Sequence, residues 1–506
     1  MGTRPVWAAM SLVMMVGCGS ANTGAGRGPQ GLDDVPVAAA DGYYLQPDAP
    51  AQSGPIASEE AARCEGGDAA ACNSAGKLYA RGERVALDYQ RADTLFLRAC
   101  DLGEPDGCYQ AGMLVTGGTL GDPPDFGRAL GLYQRACDGG VAGACTNLGS
   151  MTMRGEGREE DVPGGRALYE RACEGGDALG CTNLASFLRG DLGGKDMAAA
   201  LALYERACAM DHGEACEEAA EQHDEGAGTP VNDPRARELY GKACALKVGQ
   251  GCNNLGAMYE SGEGGAKAQI EALKLYTQAC ELDDRVGCRN IGRILILGET
   301  EQQQKLGVQS LALACKQNDL VACVLLGQCL EEGTGIDRDL PMALQLYSFT
   351  CEAGLARGCF AAGVFVDEAR GGGTRDAERA LSLYAKACDA QELRGCYNAA
   401  WMLEKADGVP ADVPRALTFY ERACSDTFPK GCLGASKLYR TRATPDDLTR
   451  ARELLAGLCE RSDADSCELL GQMLESGQGG PADAKGAGRA RAQACALGYK
   501  ESCDKL

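Results

Sequence analysis

The sequence predicts an all-α fold: an α/α solenoid (superhelix) of about twelve disulfide-stapled helical-hairpin repeats, each 35 to 37 residues long. Three observations carry this reading. A pair of cysteines eight positions apart recurs thirteen times along the 506-residue chain. Successive pairs fall 35 to 37 residues apart, and a fixed period in that range marks a stacked array rather than a string of separate domains. Ahead of each pair runs a segment with apolar residues at helical spacing, as between Asp412 and Cys424, where Ala416, Leu417 and Tyr420 share one face.

The chain opens differently. Residues 1–17 carry one basic side chain, Arg4, and an apolar run, Val6 to Val16, that is too short to span a bilayer and suits a signal-peptide core. The run Met15-Val16-Gly17-Cys18-Gly19 resembles the lipobox of bacterial lipoproteins, in which cleavage before the cysteine accompanies acylation of its thiol. Cys18 is therefore expected to carry a lipid anchor, and several acyl chains hold a protein firmly to a membrane. By the same analogy Gly19, which is not aspartate, favours the outer membrane of a Gram-negative bacterium, with the array facing the periplasm or the cell surface. Residues 18–57, rich in Gly, Ala, Pro and Asp and without apolar periodicity, read as a disordered tether. The repeats are expected to fill 58–506.

Within the repeats, position twelve before the first cysteine is Asp88, Asp125, Asp161, Asp196, Asp339, Asp376, Asp412, Asp447 or Asp483 in nine units and Asn232 in a tenth. These side chains are placed to accept hydrogen bonds from the free amides of a first helical turn, as N-caps. A second helix is expected after the second cysteine, as from Cys145 to Gly157. Four residues past that cysteine the side chain is always small, as at Gly76, Gly112, Gly149, Ala185, Gly327 and Ala400. Glycine costs about 1 kcal/mol against alanine inside a helix, so this row predicts close approach of a neighbouring helix. Two positions on stands a core residue, held by Leu78, Met151, Met258 and Met473 and in one repeat by Cys329. Cys329 is therefore expected to be a buried free thiol. Gly-rich runs such as Gly262 to Gly265 lead into no Lys-Ser or Lys-Thr and follow no strand signal, so they read as turns.

The 28 cysteines are too many for a reducing compartment and read as a disulfide framework. Twenty-six of them fall into pairs: Cys64 with Cys72, Cys100 with Cys108, Cys137 with Cys145, Cys173 with Cys181, Cys208 with Cys216, Cys244 with Cys252, Cys280 with Cys288, Cys315 with Cys323, Cys351 with Cys359, Cys388 with Cys396, Cys424 with Cys432, Cys459 with Cys467 and Cys495 with Cys503. A helix-to-helix corner can bring such a pair within the roughly 7 Å between Cα atoms that a bridge requires. Closing so short a loop stabilises by roughly 2–3 kcal/mol per bridge in the chain-entropy picture. Zinc is the rival reading of the cysteines. It needs four ligands per site, while the chain has no C-x-x-C pair and only two histidines, His212 and His223, so no metal is expected.

The stretches Glu170 to Phe187 and Gln278 to Gly292 resemble the repeats of the Helicobacter cysteine-rich proteins, a disulfide-bridged branch of the Sel-1-like repeat family. The resemblance covers about residues 58–506, with spacing, cap, small residue and both cysteines recurring together. It implies a superhelix related to tetratricopeptide arrays, with a concave face that binds proteins or peptides through exposed Tyr and Arg anchors. Two places depart from the pattern. Glu301 to Gln304 replace the usual loop and cap before Cys315, where a kink is expected, and Arg491 stands where Tyr384 and Tyr420 align, as expected of a terminal unit.

A net charge of −22 excludes a basic, nucleic-acid-binding surface. Some cysteine-rich relatives resemble penicillin-binding proteins or β-lactamases by assigned activity, so that chemistry is a second function class. It needs S-x-x-K with S-D-N and K-T-G. Two S-x-x-K matches exist, Ser74 with Lys77 and Ser502 with Lys505, and neither further element occurs. Ser74 takes the place of Asn147 and Asn254 in the repeat, so a catalytic role is not expected of it, and no cofactor is implied. The histidines read as surface residues. The expected function is a lipid-anchored scaffold that binds a protein or peptide partner; a passive envelope spacer is the third class.

Overall fold

Each repeat is organised around its corner. The leading helix Phe126–Asp138 ends just past Cys137, and the trailing helix Ala142–Arg154 starts just ahead of Cys145. Between them Gly140 takes φ +92°, its N–H donates to Cys137 O at 3.0 Å, and Val141 N–H donates to Ala136 O at 3.0 Å. That left-handed residue closes the first helix and reverses the chain. The cost of φ > 0 is accepted even without glycine, by Asp211, Lys247, Asp283, Asn318 and Gln391 at the same place in other repeats.

The reversal sets the Cys137 and Cys145 Cα atoms 4.8 Å apart and the bridge closes. All thirteen expected pairs are bonded in this way. The Cα separation is 4.3 Å where Cys351 bonds Cys359 and Cys424 bonds Cys432, and 4.4 Å where Cys244 bonds Cys252. It is 4.5 Å between Cys64 and Cys72, Cys173 and Cys181, Cys280 and Cys288, and Cys388 and Cys396. It is 4.6 Å between Cys100 and Cys108, Cys208 and Cys216, and Cys459 and Cys467. Cys315 and Cys323 stand 4.7 Å apart, and Cys495 and Cys503 4.8 Å. The spread stays narrow even at the Cys424–Cys432 corner, where the leading helix ends at Ala423 and a bridge between Ser425 and Phe428 replaces the left-handed residue.

The structure, a computed structural model, describes residues 55–504 apart from 84, 121–122, 192–195 and 462. Cys18, the expected signal peptide and residues 18–54 of the expected tether lie outside the described residues. The first helix, Pro55–Glu65, begins slightly ahead of the expected start at Ser58. Among the described residues twenty-six α-helices form thirteen pairs, one more than the expected twelve or so because the array closes on the four-residue helix Lys500–Cys503. No strand forms among those residues, only a single bridge between Ser425 and Phe428.

Capping follows the aspartate row in most units: Asp125, for example, accepts from Arg128 N–H at 2.9 Å. Asp447 does not cap. Its helix starts earlier, at Pro445, with Thr444 as the cap, and Asp447 sits buried in the first turn with Arg442 Nε 3.2 Å away. The expected kink at Glu301 is likewise a helix begun early: Thr300 and Gln303 form a capping box at the head of Glu301–Lys316, which runs sixteen residues against thirteen in most leading helices. At these two joints the loop is shortened and the helix extended. A second row of caps precedes the trailing helices, held by Asp68, Asp177, Asp284, Asp319 and Asp463, and by His212, whose Nδ1 accepts from Ala215 N–H at 3.3 Å. His223 is not a surface residue: it is buried, with Nε2 3.3 Å from Glu205 Oε1.

The small-residue row explains how repeats stack. A Cβ added at Gly327 would lie 2.6 Å from Tyr347 Cε1, and one at Gly112 would lie 2.7 Å from Tyr133 Cε1. Wherever this position is glycine and an aromatic ring stands four residues before the next first cysteine, the ring lies on the bare backbone of the preceding trailing helix. Tyr133, Tyr204, Tyr276, Tyr347, Tyr384 and Tyr420 are among the most buried large side chains. Their hydroxyls end on polar partners: Glu260 for Tyr276 at 2.7 Å, Glu331 for Tyr347 at 2.9 Å, Glu404 for Tyr420 at 2.7 Å. Arg491, in the tyrosine position of the last leading helix, takes the corresponding carboxylate, Glu475 Oε2, at 2.5 Å. A further link joins leading helices. Arg135 donates to Cys100 O at 2.8 Å, Arg171 to Cys137 O at 2.7 Å and Arg422 to Cys388 O at 2.9 Å. A cation at the carbonyl end of the preceding helix satisfies its free acceptors and its dipole.

Cys329 is unbonded and buried at 2 % exposure, and burial pushes its thiol up to about 12. Such a thiol stays protonated and inert.

Candidate functional site

Successive trailing helices touch one another, as Ala142–Arg154 touches Ala178–Ser186 and Gly249–Ser261 touches Arg285–Leu295; leading helices do so less. In a curved stack the more closely spaced row lies inside the curve, so the trailing helices line the concave face. Their positions two, five and eight residues past the second cysteine are mostly open to solvent at least in part, while the position one past it is more often buried, as at Asn73, Thr146, Glu217 and Asn253.

At the N-terminal end this face is a polar lattice. Asp106 accepts from Lys77 Nζ at 2.6 Å and from Asn73 Nδ2 at 2.8 Å. Burial works against the Asp106 carboxylate, yet the hydrogen bonds from Lys77, Asn73 and Gln110 hold its pKa below the ordinary value. Ser74 is exposed on this face, and Lys77 gives its ammonium to Asp106, so the two sequence candidates are not arranged as nucleophile and free base. Ser502, the other S-x-x-K serine, is buried and donates to Glu468 Oε2 at 2.5 Å, while Lys505 lies outside the described residues.

The middle of the face is acidic, then basic. On Gly213–Glu225 the carboxyls of Glu217, Glu221 and Asp224 are all pushed up, first by burial and then by one another and their neighbours. Glu217 is 7 % exposed, accepts from Gln250 Nε2 at 2.8 Å and titrates at about 8. A folded-state pKa above that of the unfolded chain means stability that is complete below about 4.5 and is lost progressively as pH rises through about 8. Glu217→Gln should therefore flatten the alkaline fall in melting temperature, leaving the variant roughly 2–4 °C more stable than wild type above the Glu217 pKa and unchanged in acid. Thermal melts across pH check this. Two repeats on, Arg289 pairs with Asp319 at 2.8 Å and Arg293 with Glu260 at 2.8 Å.

The C-terminal part of the face turns apolar. Phe360, Val364, Tyr397, Trp401 and Leu433 are all half-buried and pack onto the core beneath. Tyr397 lies edge-on to Tyr420 and to Phe428 with centroids 5.6 and 5.8 Å away, which fixes its ring. The guanidinium of Arg394 stacks over Phe360 at 4.4 Å. The sequence pointed to exposed tyrosines as anchors, but most of the repeat tyrosines are buried between helices. The aromatic side chains on this face are instead the half-buried Phe360, Tyr397 and Trp401, one or five positions past a second cysteine, a row that only the superhelix reveals. Among the described residues no group of acidic, histidine or cysteine side chains is arranged to hold a metal.

Comparisons with known proteins agree with this architecture. The Sel1 repeat model matches residues 69–104, 105–141, 142–177, 178–212, 213–248, 249–284, 320–355, 356–391, 393–427 and 464–487. Two of the stretches it passes over, 285–319 and 428–463, contain the joints where the loop is shortened. Among solved structures, c5321, a protective antigen of uropathogenic Escherichia coli with an SLR fold, is similar at TM-score 0.65 and 20% identity, over 89% of this chain and 91% of that one. A Sel1 repeat protein of Oxalobacter formigenes is similar at TM-score 0.38 and 24% identity, over 42% of this chain and 85% of that one. Cysteine-rich protein B of Helicobacter pylori is similar at TM-score 0.16 and 22% identity, over 33% of this chain and 96% of that one. No curated protein matches the chain. The thirteen bridges point to an oxidising, extracytoplasmic location. Period, caps, corner disulfides and a profile match over most of the array converge, and the chain belongs to the Sel1 repeat family.

Proposed function

We propose that this protein is a lipid-anchored, extracytoplasmic scaffold of the outer membrane that binds a protein or peptide segment on its concave face. The observation that carries the reading is the row of half-buried aromatic and aliphatic side chains, Phe360, Val364, Tyr397 and Trp401, on the inner helices. Aromatic side chains with a packed body and one open face make the strongest anchors in protein interfaces, and an elongated concave surface suits an extended or helical segment. The anchor is read from the run ending at Cys18.

Two experiments test this. Intact mass of the membrane-extracted protein should show acylation at Cys18, lost together with membrane retention in Cys18→Ala. Trp401→Ala should abolish co-purification of the partner while leaving the melting temperature within about 2 °C of wild type, as expected for a half-exposed site. A partner retained by that variant removes the inner face from the account. Ser74→Ala should change neither property, and the purified array should neither turn over nor be acylated by a chromogenic β-lactam. A covalent adduct that Ser74→Ala removes would make the protein an enzyme instead.

A further inference from the structure

The apolar stretch of the inner face ends on a cation that the fold leaves uncompensated. Eight residues past the second cysteine, six repeats hold a carboxylate: Asp224, Glu260, Glu331, Asp367, Glu404 and Glu475. The last five each meet a tyrosine hydroxyl or an arginine of the following leading helix. On Pro429–Arg442 that position is Arg440, and the facing residue four before Cys459 is the fully buried Leu455. Neither side of the usual pair is present. Arg440 is half-buried, its Nε is fully shielded from solvent with no hydrogen-bond partner, and Nη2 reaches Gln472 Oε1 only at 3.4 Å. Burial alone pulls its pKa down; no carboxylate among the described residues offsets it. Arg189, the other arginine in this row, is by contrast paired with Glu218. Lys437, exposed one turn before Arg440, adds a second positive charge beside Leu433.

In a chain of net charge −22 a desolvated, unmatched guanidinium costs stability unless something anionic completes it. The contact to Gln472, on the next trailing helix, places Arg440 on the concave side, at the end of the row Phe360, Val364, Tyr397, Trp401 and Leu433. The geometry points to a partner segment of defined chemistry: an extended stretch whose apolar or aromatic side chains lie on that row, followed by an aspartate or glutamate side chain that pairs with Arg440. This rests on the inner-face reading above and adds to it the polarity and charge of the bound segment. An arginine that is half-buried, with its Nε already shielded, loses less solvation on binding than a fully exposed one, so a carboxylate reaching its open side gains charge-assisted hydrogen bonds there.

The test uses the full-length protein and an array of C-terminally amidated peptides carrying an apolar run followed by Glu, Gln or Lys, with affinities of the best binders measured by fluorescence anisotropy. Wild type should prefer Glu over Gln peptides by about tenfold, as for one partly solvated charge-assisted hydrogen bond. Arg440→Gln should erase that preference with the melting temperature unchanged or raised, Arg440→Glu should shift it toward Lys, and Trp401→Ala should weaken all three peptide classes alike. Apolar peptides that bind without preferring Glu, or a Glu preference that survives in Arg440→Gln, would overturn this inference and leave the inner-face reading standing. Absence of any apolar peptide binding would overturn both. Concentration-dependent self-association in sedimentation, broken by Arg440→Glu, would make the occupant a second copy of this chain and overturn the proposal as stated.

Discussion

Reduction of the thirteen disulfides under native conditions melts the array at temperatures where the oxidised protein is intact. Every bridge closes a loop of eight positions and sets the two Cα atoms 4.3 to 4.8 Å apart. In the chain-entropy model each contributes about 2.5 kcal/mol by restricting the unfolded chain. The bridges matter more here than in a globular domain because a repeat packs only on its neighbours, so no single unit has a core to fall back on. Position should matter too. Replacing both Cys244 and Cys252 by serine interrupts the middle of the stack and should lower stability by about 2–3 kcal/mol, with a new protease-sensitive site around 245–251. The same change at Cys495 and Cys503 releases only the four-residue helix Lys500–Cys503 and should be tolerated. Far-UV circular dichroism melts with and without reductant, together with limited proteolysis, measure all three. Equal melting of reduced and oxidised protein would show that side-chain packing alone holds the corners.

Tyr347→Ala should destabilise by about 3–5 kcal/mol, the range for removing a buried aromatic side chain. The ring is 1 % exposed, rests on Gly327 and packs edge-on against Phe365 with centroids 6.4 Å apart. Tyr347→Phe keeps the ring and loses the 2.9 Å hydrogen bond to Glu331. It should cost only about 1 kcal/mol, because Glu331 keeps its ion pair with Arg370. Gly327→Leu attacks the same joint from the other side and should match the alanine variant, since even a Cβ there would lie 2.6 Å from the ring. Urea titrations of the three variants rank them. A Phe variant as damaged as the Ala variant would mean that the hydroxyl, not the ring, holds the repeats together.

Most of this fold is legible in the sequence because its rules are local and repeated. A cysteine spacing of eight, an aspartate twelve before it and a small residue four after it each state one physical constraint, and each survives many copies. The failures have the same cause. Counting back from Cys459 places a cap at Asp447 only if every loop has equal length; the joint before Pro445 is shortened, so the cap is Thr444. The Tyr and Arg anchors expected on the concave face could not be assigned to positions, because helical periodicity cannot separate a side chain facing the next repeat from one facing solvent. Tyr347 and Tyr420 turn out to be inter-repeat core, and Trp401 and Phe360 take the outward role. Arg491 was visible as a departure, but its meaning needed Glu475 beside it, which shows a tyrosine–carboxylate contact replaced by an ion pair in the same slot. Arg440 gave no signal at all: one arginine among many becomes conspicuous only when its neighbours prove to lack a carboxylate.

The most direct test of the central claim is site-specific photocrosslinking in intact cells, with a benzoylphenylalanine placed at Trp401 on the inner face or at Arg379, exposed on a leading helix. A discrete protein adduct from position 401 and none from position 379 is the result predicted for a scaffold that works through its concave surface. Adducts of equal yield from both positions, or an adduct from the outer position alone, would contradict it.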